Sequence, residues 1–234
     1  MEQYQYRLNA KIKNGSAVIF NLLPAKDSPA LTKFVPGQHV LLSFVDESQQ
    51  VVGPRAFTIC NTPNKEGFIQ LCIKIYQNIT KKIADLPEGA TVLLSGPLGR
   101  FQFDFERVKN AVFITGGSGI TPFVSFIRYI VENNLDSQVT MLVSNKKSED
   151  IMFRQELEDL DQERENLKFH FTLTDEKPEH WGGDTTRIDE KMITKYCSPL
   201  ENKTFFICGP IPFMDAMEAN LAKLGIAENL IIKP

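Results

Sequence analysis

The chain changes its hydrophobic rhythm near its middle. Over the first hundred residues, apolar or alternating runs recur at 4–12, 17–23, 39–44, 55–61, 68–76 and 91–95. Turn formers separate them: Asn14-Gly15, Pro36-Gly37, Gly53-Pro54, Glu66-Gly67, Glu88-Gly89 and Gly96-Pro97. Six short strands with turns at this spacing predict a closed barrel or a sandwich. One helical piece is predicted at 80–86.

From about residue 110, apolar strands alternate with amphipathic helices. Strands are predicted at 111–115, 138–144, 167–173 and 204–208, with a last short one at 229–232. Helices are predicted at 122–132, 150–163 and 212–224. Continuous apolar strands between helices imply a parallel sheet covered on both faces. Such sheets bind ligands beyond the carboxyl ends of their strands. The change of rhythm falls at 103–109. It divides the chain into an N-terminal domain of residues 1–105 and a C-terminal domain of residues 106–234.

Composition narrows the class. Of 234 residues, 42% are hydrophobic and 24% charged, which is ordinary for a globular protein with a real core. The net charge of -3 argues weakly against a nucleic-acid partner. No apolar run reaches the roughly 20 residues of a bilayer span. The opening MEQYQYRLNAKIKNG lacks the apolar segment of a leader. No membrane span and a cytoplasmic location are therefore expected. Cys60, Cys72, Cys197 and Cys208 form no C-x-x-C pair, and His39, His170 and His180 are not at ligand spacing. Neither a metal site nor a disulfide is expected, and the histidines read as structural or surface residues.

The strongest chemical signal is AVFITGGSGITPF, residues 111–123. A buried strand runs into Gly116, Gly117 and Gly119, and Thr121-Pro122 then opens a helix. Glycines let a ligand approach the backbone, and proline suits a first helical turn. A helix N-terminus offers N–H groups and partial positive charge to a pyrophosphate. Pro122 stands where G-x-G-x-x-G has its last glycine, so the motif alone fits a tight strand–helix turn as well.

Four ordered segments give the loop its context: GPRAFTICNTP at 53–63, GPLGRF at 96–101, GGSGITP at 116–122 and FFICGPIPFM at 205–214. Over nearly the whole chain they resemble the ferredoxin–NADP reductase family. The resemblance implies an antiparallel six-stranded flavin-binding barrel followed by a parallel-sheet nucleotide-binding domain, with FAD and NAD(P)H as cofactors. It implies that Arg55 pairs with flavin phosphate, with Ala56 beside it. Phe57 packs on the isoalloxazine, and Thr58 bonds near N5, the atom that receives hydride. In LCIKIYQNITKKIADL, residues 71–86, Lys74 and Thr80 fall at cofactor-binding positions, while Gln77 stands where relatives carry glycine. On the nicotinamide side, Cys208, Gly209 and Pro210 lie where hydride moves, and Thr58 and Cys208 are the expected catalytic pair.

Cofactor choice turns on the ribose 2′ position. Asp175 ends TLTD at 172–175, and a carboxylate there repels a 2′-phosphate. NADH is therefore favoured over NADPH, although Lys146, Lys147 and Lys177 lie near in sequence. Asp150, Phe153, Arg154 and Glu156 read mainly as capping and packing residues. No chemistry is assigned to Trp181-Gly182-Gly183 or to 186–188. The implied reaction is hydride transfer from NADH or NADPH to bound FAD. Electrons then pass to a separate acceptor protein such as ferredoxin, flavodoxin or an oxygenase component. Two other readings stay open: a reductase of diffusible flavin, and a non-catalytic regulatory subunit that keeps the fold.

Overall fold

Alternation in the first half becomes a barrel. A computed structural model describes residues 2–76 and 79–234; position 77, where glycine was expected, lies outside the described residues. In β1 (Gln3–Asn14), Tyr4, Tyr6 and Leu8 are buried while Gln3, Gln5 and Arg7 face water, the two-residue period of a half-buried strand. β2 (Ala17–Pro24), β3 (His39–Val45), β4 (Val51–Thr58), β5 (Ile69–Lys74) and β6 (Thr91–Leu98) join it in the order β4-β3-β6-β1-β2-β5. The pairs are all antiparallel. An Ile59–Leu71 bridge and the Cys60 N–H donating to Gln70 O (2.8 Å) close the ring between its two ends.

Two predicted turns lie inside strands. Gly53-Pro54 belongs to β4, and Gly96-Pro97 to β6. Gly53 adopts a φ of 110° beside a register shift between Leu42 and Phe44, so the glycine makes a bulge instead of ending the strand. Pro54 is tolerated because β4 ends the ladder order, where a missing N–H breaks no central pairing. The hairpin turns earlier, where the Asp46 carboxylate accepts from the Ser48 and Gln50 amides. Helix α1 (Ile79–Ala84) follows β5.

The second half is a five-stranded parallel sheet: β7 (Asn110–Gly116), β8 (Gln138–Asn145), β9 (Leu167–Leu173), β10 (Thr204–Cys208) and β11 (Ile231–Ile232), in the order β11-β10-β7-β8-β9. Helices α2 (Thr121–Glu132) and α3 (Arg154–Glu163) cover one face, and α4 (Glu190–Cys197) and α5 (Ile211–Lys223) the other. β7 serves both: Phe113 joins Phe123, Phe126 and Leu157, while Val112 and Ile114 join Ile193, Met217 and Leu221. Helix α4 has no counterpart in the sequence reading, yet its signal was present. Asp189 caps the Met192 amide, and Ile188, Met192 and Ile193 form its buried stripe.

The two units share a core. Ala17, Ile19, Cys60 and Cys72 of the barrel pack into the cluster built around α2. Phe101 and Phe103 fill the junction, 5.8 Å from Phe123 and 5.3 Å from Phe206 respectively, centroid to centroid.

Candidate functional site

Chain order puts a switch point between β7 and β10, since β7 continues to β8 on one side and receives β10 on the other. Crevices form at the carboxyl ends of such strands. Here a cleft of about 1030 Å³ opens between the sheet and the barrel. Gly116, Gly117, Ser118 and Pro210 line it from the strand ends, Lys74 and Tyr76 from the barrel, and Asp175 from the end of β9.

The glycine loop and the Cys208-Gly209-Pro210 turn are packed backbone to backbone. A Cβ on Gly119 would lie 2.2 Å from Cys208 O. Gly116 and Gly209 serve a different purpose, because a Cβ on either would press on the Phe213 ring at 3.2 and 2.8 Å. Gly117 is the open one. Its φ is 56°, and a Cβ there would meet nothing closer than Lys74 Nζ at 3.9 Å.

The helical path starts earlier than Thr121-Pro122. A 3₁₀ turn over Gly117–Ile120 precedes α2 without a side-chain cap, so its leading N–H groups point from the glycines themselves. Thr121 and Pro122 are buried beneath the turn, and the Thr121 hydroxyl donates to Ser118 O at 3.1 Å. They shape the loop without lining the cleft.

Cys208 ends β10 in register with Thr115. Burial pushes its thiol up to about 12, only partly opposed by a backbone hydrogen bond from Gly209. The thiol is therefore neutral at physiological pH and is suited to contact, not to nucleophilic attack.

At the far end of the cleft, Asp175 is paired: Lys146 Nζ stands 3.6 Å from its Oδ2. Lys147 instead faces Glu149 at 3.9 Å. Arg187, to which the sequence reading gave no chemistry, lines the same end. Ser144 and Asn145 line it too, because the parallel register aligns Ser144 with Gly116.

On the barrel, burial in β4 does not alternate past the Gly53 bulge: it rises along the strand, from exposed Arg55 and Ala56 to half-buried Phe57 and Thr58. Phe57 is half-buried against the barrel core and stands opposite buried Val40. Arg55 and Ala56 are exposed. Thr58 is half-buried opposite His39, so the two side chains share a face. His39 was read as merely structural; burial lowers its pKa and keeps it neutral beside Thr58. Thr80 Oγ1 accepts the Tyr76 amide at 2.9 Å.

The residues fit a dinucleotide and a flavin. Among the described residues, the Oγ of Ser16, on the cleft wall, is buried without a partner, and so is Thr115 Oγ1 just before the glycine loop. Gly117 leaves room for a phosphate, and Arg55 offers an exposed guanidinium. Among the described residues no cluster of His, Cys, Asp and Glu could hold a metal ion.

Comparison with known proteins agrees with this geometry. A family described as the oxidoreductase FAD-binding domain matches residues 8–103, and one described as the oxidoreductase NAD-binding domain matches 113–219. NADH-cytochrome b5 reductase 1 of Pyricularia oryzae is 29% identical over 236 residues, spanning 96% of this chain and 74% of its own length. The reductase of the same name from Lodderomyces elongisporus is 31% identical over 92% of this chain and 72% of its own. The crystal structure of the cytochrome b5 reductase domain of Ulva prolifera nitrate reductase superposes with a TM-score of 0.87 at 26% identity, over 100% of this chain and 97% of that one.

Proposed function

Because the chain belongs to the ferredoxin reductase-like family of FAD- and NAD-binding oxidoreductases, we propose that it draws a hydride from NADH onto FAD and passes the electrons to a separate haem protein of the cytochrome b5 kind. It is an FAD-dependent NADH oxidoreductase. The acceptors implied by the family resemblance were ferredoxin, flavodoxin or an oxygenase component. The reductases at 29% and 31% identity are named for cytochrome b5 instead, and that supports a haem acceptor. No described helix is long and apolar enough to cross a membrane.

One observation carries the reading: a single cleft gathers the open glycine turn, Pro210, Lys74 and Asp175, and the Cys208-Gly209 backbone packs directly behind that glycine turn at Gly119. In this proposal the N–H groups of Gly117–Ile120 and Lys74 Nζ take the nucleotide phosphates, and Asp175 accepts from the ribose hydroxyls. Gly119 holds the Cys208–Pro210 turn against the loop, and the neutral Cys208 thiol steadies the nicotinamide. On the barrel, Arg55 pairs with flavin phosphate, and Thr80 lies beside the pyrophosphate. Phe57 packs against the ring, and Thr58, next to neutral His39, donates near N5. FAD supplies a two-electron acceptor that can release electrons singly; the protein supplies position and electrostatics.

The test is anaerobic addition of NADH to the FAD-loaded protein, followed by cytochrome b5 or ferredoxin as acceptor. Bleaching of the flavin bands and faster reduction of cytochrome b5 than of ferredoxin are expected. NADH should exceed NADPH in kcat/KM by about tenfold or more, roughly 1.4 kcal/mol. An unbleached flavin overturns the reading. A preference for NADPH overturns the role of Asp175, with the Lys146 pair and Arg187 then setting the choice.

Cys208→Ala should slow flavin reduction while leaving flavin bound. With a thiol titrating near 12, neither protein should show a thiol inflection between about pH 7 and 9.5, around the ordinary cysteine value of about 8.5. Unchanged rates, or an alkaline limb lost in the variant, would remove Cys208 from this role.

A further inference from the structure

One face of α2 is polar where an amphipathic helix packed on a barrel would be expected to be apolar. Ser125, Arg128 and Glu132 follow each other at three- and four-residue spacing, so they share that face. Each meets one of residues 60–62, just beyond the end of β4. Ser125 Oγ donates to Asn61 O (3.3 Å), Arg128 Nη1 donates to Cys60 O (3.0 Å), and the Thr62 hydroxyl donates to Glu132 Oε2 (2.5 Å). Arg128 is the centre. Its Nη1 also donates to Gln70 Oε1 on β5 (2.6 Å), while Nε and Nη2 grip both oxygens of Glu156 on α3 (2.6 and 2.8 Å). Four hydrogen bonds from one guanidinium thus join the barrel to two helices of the nucleotide domain. Only the fixed fork of arginine can make this set.

Its place in the chain gives the hub meaning. About two to three helical turns upstream, just before α2, lies the glycine turn of residues 117–120. Cys60 is two residues beyond Thr58. The hub therefore connects the proposed nicotinamide side and the proposed flavin side through short, rigid pieces only. A second contact supports the same register. Phe153 sits under the Arg128 guanidinium, 5.3 Å to the ring centroid, in the left-handed region at φ 58°, and its N–H donates to Asn14 Oδ1 of the barrel (2.8 Å). A bulky residue holds that conformation only when its surroundings dictate it.

We propose that Arg128 is a positioning residue for hydride transfer: through Cys60 O, Gln70 and Glu156 it fixes the separation between Thr58 and the Gly117–Ile120 turn. This rests on the proposed NADH-to-FAD reaction. Burial disfavours the charged guanidinium, but the hydrogen bond and charge of Glu156 outweigh it and hold the pKa above the ordinary arginine value. The fork therefore persists at any working pH.

The experiment compares Arg128→Lys with the double variant Arg128→Met/Glu156→Met, each loaded with FAD. Replacing a buried ion pair with apolar side chains of similar volume can preserve stability, so the double variant separates folding from placement. Three quantities are read: thermal midpoint, rate of flavin reduction at saturating NADH, and amide-hydrogen exchange across 58–62 and 117–120. The double variant should keep the wild-type midpoint within a few degrees yet reduce its flavin at least tenfold more slowly, with faster exchange in both segments together. Arg128→Lys should fall between. If the double variant melts like wild type and also reduces flavin at the wild-type rate, Arg128 is only glue and the proposal fails. If the double variant melts early, Arg128→Lys decides: a wild-type reduction rate in that variant overturns the proposal. If wild type itself is not reduced by NADH, the functional reading fails. Exchange still decides the tie, and unchanged protection in both variants overturns it.

Discussion

Replacing Gly119 with alanine is expected to cut NADH-dependent flavin reduction by about two orders of magnitude while flavin stays bound. The added methyl would stand 2.2 Å from Cys208 O, 2.5 Å from Cys208 C and 2.6 Å from Gly209 N. All three are backbone atoms, so no side-chain rotation relieves the clash. The glycine loop and the Cys208–Pro210 turn must move apart. A shift on the order of 1 Å at a reacting centre can cost ~10²-fold in rate. Overpacking also destabilises by about 1–3 kcal/mol, so a lower thermal midpoint should accompany the loss. The flavin side is spared because Arg55, Phe57 and Thr58 belong to another sheet. Gly182→Ala is the control: nothing lies within 4 Å of its Cβ, and it should behave as wild type. Stopped-flow reduction of both variants decides the point. A wild-type rate in Gly119→Ala would mean that the two loops do not jointly hold the nicotinamide.

Much of this architecture could be read from the chain because its cause is local. Tyr4, Tyr6 and Leu8 alternate with polar residues because one face of β1 meets the core. Val112, Phe113 and Ile114 form an unbroken apolar run because both faces of β7 are covered. Gly117 was legible as a glycine with backbone freedom, and it has a φ of 56° and open space at its Cβ position. What escaped the sequence depends on distant partners. Gly53-Pro54 reads as a turn until β4 is known to be an edge strand whose glycine forms a bulge. Thr121-Pro122 reads as the start of the helical path because the 3₁₀ turn ahead of it leaves little local trace. Arg187 was assigned no chemistry from the sequence, and only the fold brings it to the cleft that Asp175 also lines. Arg128 and Glu156, 28 positions apart, look like ordinary polar faces of two amphipathic helices. The bonds of Arg128 to residues 60 and 70 emerge only when the barrel is set against α2.

Arg55→Ala should release the flavin without unfolding the barrel. The side chain is exposed on an edge strand and forms no ion pair among the described residues, so truncation alone should change stability by no more than about 0.5 kcal/mol. Its proposed contact is a charge-assisted, forked hydrogen bond to phosphate, worth about 1.5–3 kcal/mol. Flavin affinity should therefore fall about 10- to 100-fold, enough to leave the purified variant pale after gel filtration. Arg55→Lys keeps the charge but not the planar fork and should retain an intermediate share of flavin. The flavin-to-protein ratio and a fluorescence titration with FAD measure the effect, and the thermal midpoint of the flavin-free proteins checks the fold. At saturating FAD, both variants should regain reduction by NADH, because Arg55 belongs to the other sheet and does not line the cleft. Full flavin occupancy in Arg55→Ala would transfer the phosphate to the turn around Thr80. A loss that excess FAD does not restore would give Arg55 a part in hydride transfer itself.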